Sequence, residues 1–267
     1  MNILVCIKQV PDTTEIKIDP VTNTLIRAGV PSIVNPFDGY ALEAAARIKD
    51  KDPDTKIVVM SMGPEQAKAA LKECIGIAAD KAYLISDRAF GGSDTLATSY
   101  IISNAVKKIE ELEGKFDAIF CGKQAIDGDT AQVGPELAEH LDYPQVTYAL
   151  EAEADENTLT IKKETEDGVE MIEIQTPCVI TYTKPSFDPR YPTIKRKMAA
   201  NRAEIPTLTA ADLSTIDLTQ AGLKGSPTKV KKTFVPQKKT GGIKIQEETN
   251  EDSAKKLFEL LSDAKVL

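Results

Sequence analysis

The chain has 267 residues and 42% hydrophobic side chains, enough for one large or two modest domains with an ordinary core. A formal net charge of −8 argues against a nucleic-acid binder, whose affinity rests on clustered cations, and a single histidine, His140, argues against a histidine-rich metal site. The four cysteines, Cys6, Cys74, Cys121 and Cys178, stand far apart without C-x-x-C spacing, and read as buried free thiols of a reducing compartment.

Residues 3–7 predict a first strand, with neither a cationic leader nor a cleavage site before it. No apolar run is long enough to span a bilayer, so the expectation is a cytoplasmic protein without membrane insertion. Residues 12–27 hold a β excursion with Pro20 and Asn23 as turn residues. Residues 36–49 predict a helix packed through Ala41, Ala44, Ala45 and Ile48. A strand over 56–62 follows, and Pro64 then sits early in a helix reaching about residue 77, where its missing N–H costs nothing. Residues 82–85 predict a third strand. Residues 93–113 predict a long helix, with Ile102, Val106 and Ile109 four and three apart, and 117–121 a fourth strand. This alternation is the pattern of an α/β fold, a parallel sheet with helices on both faces.

Residues 136–141 read as helix, with His140 in a surface or helix-end role. After Pro144 the pattern changes. Residues 146–153, 158–164 and 171–175 predict strands of a β-hairpin region, with Glu166-Asp-Gly168 as a turn, and 177–182 predict a further buried strand. Residues 187–205 are polar and basic through Lys195, Arg196, Lys197 and Arg202. They suit either a solvated helix face or a surface steering an acidic partner. Residues 206–250 lack periodicity and read as an arm lying on another surface. Residues 253–267 form an amphipathic helix with Leu257, Leu260 and Leu261 on one face, docking on a partner or on its own domain. The expected division is an α/β domain over 1–205, including a loop at 185–205, and a C-terminal arm and helix over 206–267.

The strongest functional signal is Cys121-Gly-Lys-Gln-Ala-Ile-Asp-Gly-Asp-Thr-Ala-Gln-Val-Gly-Pro135. A buried strand leads through a glycine-bearing turn into a helix, the place where parallel sheets bind nucleotides. Backbone N–H groups there can hold a phosphate, and Asp129 or Thr130 can cap the helix. Asp127 and Asp129 would repel a phosphate, so they are expected to bond ribose hydroxyls or backbone N–H groups. Neither G-x-G-x-x-G nor G-x-x-x-x-G-K-[ST] is present, which excludes the usual dinucleotide and P-loop cradles. Phe90-Gly-Gly-Ser-Asp-Thr95 resembles the loop of ATP pyrophosphatase ligases but follows the third strand. It reads alternatively as a loop in which Ser93 or Asp94 caps the next helix, or as a cofactor contact. No catalytic constellation and no metal site is evident, so redox chemistry would need a bound cofactor.

These residues resemble the beta subunit of the electron transfer flavoproteins. The resemblance rests on Val5-Cys-Ile-Lys8, Asn35-Pro-Phe-Asp38, Ser61-Met-Gly-Pro64 and Gly122-Lys-Gln-Ala-Ile-Asp127. It also rests on Ile161-Lys-Lys-Glu-Thr-Glu-Asp-Gly-Val-Glu-Met-Ile172 with Pro177-Cys-Val-Ile-Thr181, and on Asp188-Pro-Arg-Tyr-Pro-Thr-Ile194. It spans essentially the whole chain. It implies an adenine-nucleotide-binding, HUP-like fold and a heterodimer with an alpha subunit that carries a redox FAD. Gly128-Asp-Thr-Ala-Gln-Val133 and Asp87-Arg-Ala-Phe-Gly-Gly-Ser-Asp-Thr-Leu-Ala-Thr98 look like the electron-bifurcating members. Those hold a second FAD in the beta chain; the alternative is a simple carrier with structural AMP. The bifurcating reading implies NADH as donor, ferredoxin or flavodoxin as one acceptor, and an acyl-CoA dehydrogenase as the other. By resemblance Cys6, Asn35, Met62 and Gly63 line the adenosine pocket. Gly122, Ala125, Asp127, Gly128, Asp129, Thr130, Ala131, Gln132 and Val133 wrap ribose and phosphates. Phe90 and Thr95 lie toward the flavin, and Arg190, Tyr191 and Ile194 meet the dehydrogenase, with Ile194 as apolar anchor.

Overall fold

A nine-stranded sheet organises the chain; the computed structural model describes residues 1–12, 31–231 and 241–267. Strand β1 is Asn2–Cys6, and a small antiparallel pair follows, β2 (Gln9–Pro11) with β3 (Ser32–Val34). Helix α1 is Pro36–Lys51, β4 Lys56–Met62, α2 Lys68–Ile77, β5 Lys81–Ile85, α3 Thr95–Glu113, β6 Ala118–Gly122 and α4 Val133–Leu141. Then come β7 (Gln145–Asp155), β8 (Thr158–Thr165), β9 (Gly168–Gln175), β10 (Cys178–Tyr182), α5 (Ile194–Arg202), β11 (Thr207–Leu208), α6 (Gly222–Gly225) and α7 (Asn250–Asp263). The β excursion expected over 12–27 lies outside the described residues.

The spatial order is β11-β5-β4-β1-β6-β10-β7-β8-β9. Strands from β11 to β7 run parallel, and β8 and β9 add on antiparallel, so the hairpin region extends the main sheet. Both faces of the central strands are buried, which explains their unbroken apolar sequences. Ile3, Val5, Ile57, Val59 and Phe120 pack on α1 and α2 through Ala41, Ala45, Ile48 and Leu71. Leu4, Val58, Met60 and Ile119 pack on α3 and α4 through Ile101, Val106, Ile109 and Leu137. All four cysteines are free thiols. His140 lies in the last turn of α4, edge-on to the Tyr100 ring with centroids 5.8 Å apart.

The helices that follow β4 and β5 differ in detail from the sequence expectation. Pro64 precedes a 3-10 turn at Glu65–Ala67, which then leads into α2. The long helix starts at Thr95, because the Asp94 side chain accepts from the Ala97 N–H (3.0 Å) and ends the loop there.

The segment after 205 departs further. Residues 207–231 belong with the α/β core instead of reaching away as an arm. Leu84 donates to Pro206 O and Ser86 to Leu208 O, both at 2.9 Å, adding β11 to the sheet edge, and Leu208, Leu213 and Ala221 are buried. Residues 241–267 form part of a separate compact unit, in which the Thr249 hydroxyl caps α7 by accepting from Asp252 N–H (3.1 Å).

Candidate functional site

The chain passes from β1 outward through β4 and β5, then returns to β6 on the other side of β1. Such a reversal opens a crevice beyond the carboxyl ends of the strands. A cavity of about 570 Å³ occupies it, within the range of roughly 300–1,000 Å³ usual for small-molecule sites. Cys6, Met62, Gly63 and Gly122 come from the strand ends, Asn35 from the start of α1, and Phe90 and Thr95 from the loop before α3. Ala125, Gly128, Thr130, Ala131, Gln132 and Val133 line it from the turn after β6.

Asp127 and Asp129 do not line the cavity. Asp127 Oδ1 accepts from Lys8 Nζ (2.7 Å), beyond the end of β1, and Asp129 Oδ1 from Gln124 Nε2 (2.7 Å) within the turn, so both carboxylates are engaged by the protein itself. Neither Asp129 nor Thr130 caps α4: the capping position is Gln132, without a side-chain cap bond, and the helix starts three residues earlier than its predicted 136. Asp129 and Ala131 have φ of 54° and 53°, left-handed values that bend the turn. Ala131 is followed by right-handed Gln132, and neighbours of opposite hand turn their N–H groups to one side, a concavity suited to an anion.

A buried knot holds this turn against the sheet. Asn35 donates through Nδ2 to Asp38 Oδ1 (2.9 Å) and Gln124 O (2.8 Å), and accepts at Oδ1 from Ile126 N–H (3.1 Å). Asp38 also accepts from Lys8 N–H (2.6 Å) and Gly122 N–H (3.2 Å), tying together the chain beyond β1, α1 and β6. Burial pushes the Asp38 carboxyl up to about 7, against the pull of these hydrogen bonds toward the charged form. A Cβ at Gly122 would stand 2.3 Å from Asp38 Oδ1 and 2.7 Å from backbone atoms, so glycine is required there. Asp38 and Lys8 were visible in sequence only as members of short motifs, because their partners lie 84 and 119 residues away.

Across the cavity, Ser93 Oγ donates to Phe90 O (2.8 Å), and Asp94 caps α3, the plainer of the two roles open to the glycine loop. Gly222 N–H donates to Ser93 Oγ (3.0 Å) and Thr228 N–H to Asp94 Oδ2 (2.9 Å), while Asp94 N–H donates to Ser226 Oγ (2.8 Å). The C-terminal segment thus shapes this wall. Thr95 Oγ1 lies 3.2 Å from both Gln132 Oε1 and Glu136 Oε1, linking the amino ends of α3 and α4. Ser61, visible in sequence only as the first residue of a short motif, also lines the cavity. Among the described residues its buried hydroxyl has no hydrogen-bond partner. Cys6 and Cys121 are both in the lining; a hydrogen bond between the thiols, together with burial, raises Cys6 well above the ordinary thiol range.

Among the described residues no metal-ligating cluster occurs. The arrangement is one for binding. The uncapped amino end of α4, a buried hydroxyl unpartnered among the described residues and a bent turn fit a nucleotide with its phosphates.

Arg190, Tyr191 and Ile194 lie outside the cavity. The Arg190 side chain turns onto α1, pairing with Glu43 and Asp50, whereas Tyr191 and Ile194 are 91% and 82% exposed.

The Electron transfer flavoprotein domain family matches residues 22–213. The chain is 53% identical over 256 residues to the electron transfer flavoprotein subunit beta of Megasphaera elsdenii, covering 95% of this chain and 94% of the relative. It is 46% identical over 267 residues, all of both chains, to the caffeyl-CoA reductase-Etf complex subunit CarD of Acetobacterium woodii. It is 44% identical over 257 residues to protein FixA of Azotobacter vinelandii, covering 94% and 90%.

Proposed function

Since the chain belongs to the electron transfer flavoprotein family as a beta subunit, pairing with an alpha subunit to transfer electrons, we propose that its carboxyl-edge cavity holds FAD for electron bifurcation. The observation that carries this reading is the amino end of α4, left without a side-chain cap at Gln132 and preceded by left-handed Ala131, both in the cavity lining. That end suits a phosphate, and the cavity of about 570 Å³ leaves room for a dinucleotide beyond the single phosphate of AMP. Gly128 adds to this, since a Cβ there would meet nothing within 4 Å.

When bound, FAD would supply the two-electron chemistry that takes reducing equivalents from NADH and divides them between ferredoxin or flavodoxin and an acyl-CoA dehydrogenase. The protein's own groups bind and orient. Met62, Gly63 and Ser61 receive the adenosine end, with the Ser61 hydroxyl as a hydrogen-bonding group that has no partner among the described residues. Gly122, Ala125, Gly128 and Thr130 to Val133 surround ribose and phosphates, with the N–H groups of Ala131, Gln132 and Val133 at the start of α4 as donors, while Phe90 and Thr95 stand on the opposite wall. Asp127 and Asp129 act indirectly, by bracing the turn against Lys8 and Gln124.

Tyr191 and Ile194 meet the dehydrogenase. A relative named as a subunit of a caffeyl-CoA reductase complex, alike over its full length, favours a partner that acts on CoA thioesters. Helix α7, with Leu257, Leu260 and Leu261, docks on the alpha subunit. Among the described residues no helix is long and apolar enough to cross a membrane. The four free thiols favour work in the reducing cytoplasm.

The test is to co-express the chain with its alpha subunit, denature the complex and quantify released FAD and AMP by chromatography. Two FAD per heterodimer is the expected result. One FAD and one AMP would overturn it and make the chain a simple carrier subunit.

A further inference from the structure

We infer that Arg190 is a positioning residue for partner docking, a clamp that holds residues 187–194 so that Tyr191 and Ile194 stand out as a preformed apolar tip. The inference rests on the reading above, in which that tip enters an apolar socket on a CoA-thioester dehydrogenase.

The guanidinium spans two carboxylates of α1. Its Nε and Nη2 donate to Glu43 (2.8 and 3.0 Å), and its Nη1 and Nη2 to Asp50 (3.0 and 2.6 Å). The Arg190 backbone N–H adds a further bond to Glu43 Oε2 (3.0 Å). Glu43 and Asp50 lie seven residues apart, two helical turns, and so share a face of α1. Two side chains of the loop's flanks are tied as well. The Arg47 guanidinium sits 3.8 Å from the centre of the Phe187 ring, and Arg196 Nη2 donates to Ile75 O (2.9 Å) and Ala79 O (3.0 Å) at the end of α2.

Between these anchors the apolar side chains point out. A loop free to relax would fold Tyr191 and Ile194 onto the surface to remove apolar area from water. Here five bonds from one arginine oppose that collapse. Holding the tip in its bound form spares the ordering cost at docking, so the clamp acts on affinity for the partner. Lysine cannot replace it, since one ammonium does not bridge two carboxylates in a planar fork.

The experiment uses the heterodimer and steady-state electron transfer at varied dehydrogenase concentration, with a small dye acceptor that needs no docking as control. Arg190→Ala is expected to raise KM for the dehydrogenase about three- to tenfold, with kcat, dye rate and bound nucleotide unchanged. Arg190→Lys is expected to recover little of this. Ile194→Ala is expected to raise KM about tenfold or more, and adding Arg190→Ala to it should change little further, because the clamp acts through that side chain. Should Arg190→Ala fail to fold, Asp50→Asn, which leaves the Glu43 arm intact, is expected to raise KM about two- to threefold. A raised KM for Ile194→Ala with an unchanged KM for the clamp variants overturns the clamp and leaves the docking loop standing. An unchanged KM for Ile194→Ala overturns both. A clamp variant that slows the dye rate and shifts KM together overturns the positioning role in favour of a merely structural one.

Discussion

Asn35→Ala should open the turn that walls the cavity. Asn35 is 1% exposed and makes three bonds, one to the Asp38 carboxyl, one to Gln124 O and one from Ile126 N–H. A bond to a charged group contributes about 1.5–3 kcal/mol and each neutral one about 1 kcal/mol, so the loss sums to about 4 kcal/mol. That corresponds to roughly a thousandfold in the opening equilibrium. The loss is also pH-dependent. The Asp38 carboxyl keeps its proton up to about 7 when folded, against 3.8 for a free side chain. Its contribution therefore makes stability fall as pH rises from about 4 to about 7, then level off. Without the Asn35 amide, which holds that carboxyl down, the fall continues above 7. Asn35→Ala is thus more damaging at pH 8.5 than at pH 5.5, by about 1–2 kcal/mol. The chain contains no tryptophan, so the readout is hydrogen exchange by mass spectrometry on the heterodimer, as protection factors for residues 122–132. Protection within tenfold of wild type at pH 8.5, or the same loss at both pH values, would refute the reasoning.

Gly122→Ala forces a Cβ to 2.3 Å from Asp38 Oδ1 and against backbone, and is expected to cost about 3 kcal/mol or more. Gly128→Ala, in open space, should cost less than about 1 kcal/mol; equal melting temperatures for the two variants would contradict the packing argument. Burial pushes the Cys178 thiol up to about 12 and holds Cys74 well above the thiol range, so neither should be alkylated at pH 8 before unfolding. Mass analysis after N-ethylmaleimide treatment decides this, and rapid labelling of either would show the core to be open. Thr95→Val removes the link between the two helix ends, and calorimetry should show nucleotide binding weakened by about 1 kcal/mol; an unchanged Kd would remove Thr95 from the site.

The fold was legible where side-chain period and burial agree. Lys56–Met62 is a strand over the whole predicted range, and Ala41, Ala44, Ala45 and Ile48 are the buried stripe of α1. Strand β11 was not legible, because two residues carry no period and its pairing with β5 is set by tertiary packing. The start of α4 was missed for lack of a capping side chain at Gln132. Thirteen of the residues lining the cavity were named from motif resemblance, seven of them between Gly122 and Val133. What escaped was long-range: Asp38 beneath Gly122, Lys8 on Asp127, and the turn of Arg190 onto α1. Such contacts join segments far apart in sequence, and neither local periodicity nor spacing records them.

The short strand at Thr207–Leu208 has a practical consequence for protein engineering. A truncation after residue 205 would strip the outer strand and leave the Leu84 and Ser86 N–H groups as an open sheet edge, the usual starting point for aggregation. A boundary placed near residue 231 keeps that edge covered and retains the Gly222, Ser226 and Thr228 bonds to the cavity loop. The shorter chain is expected to precipitate or lose ligand for reasons of the cut alone.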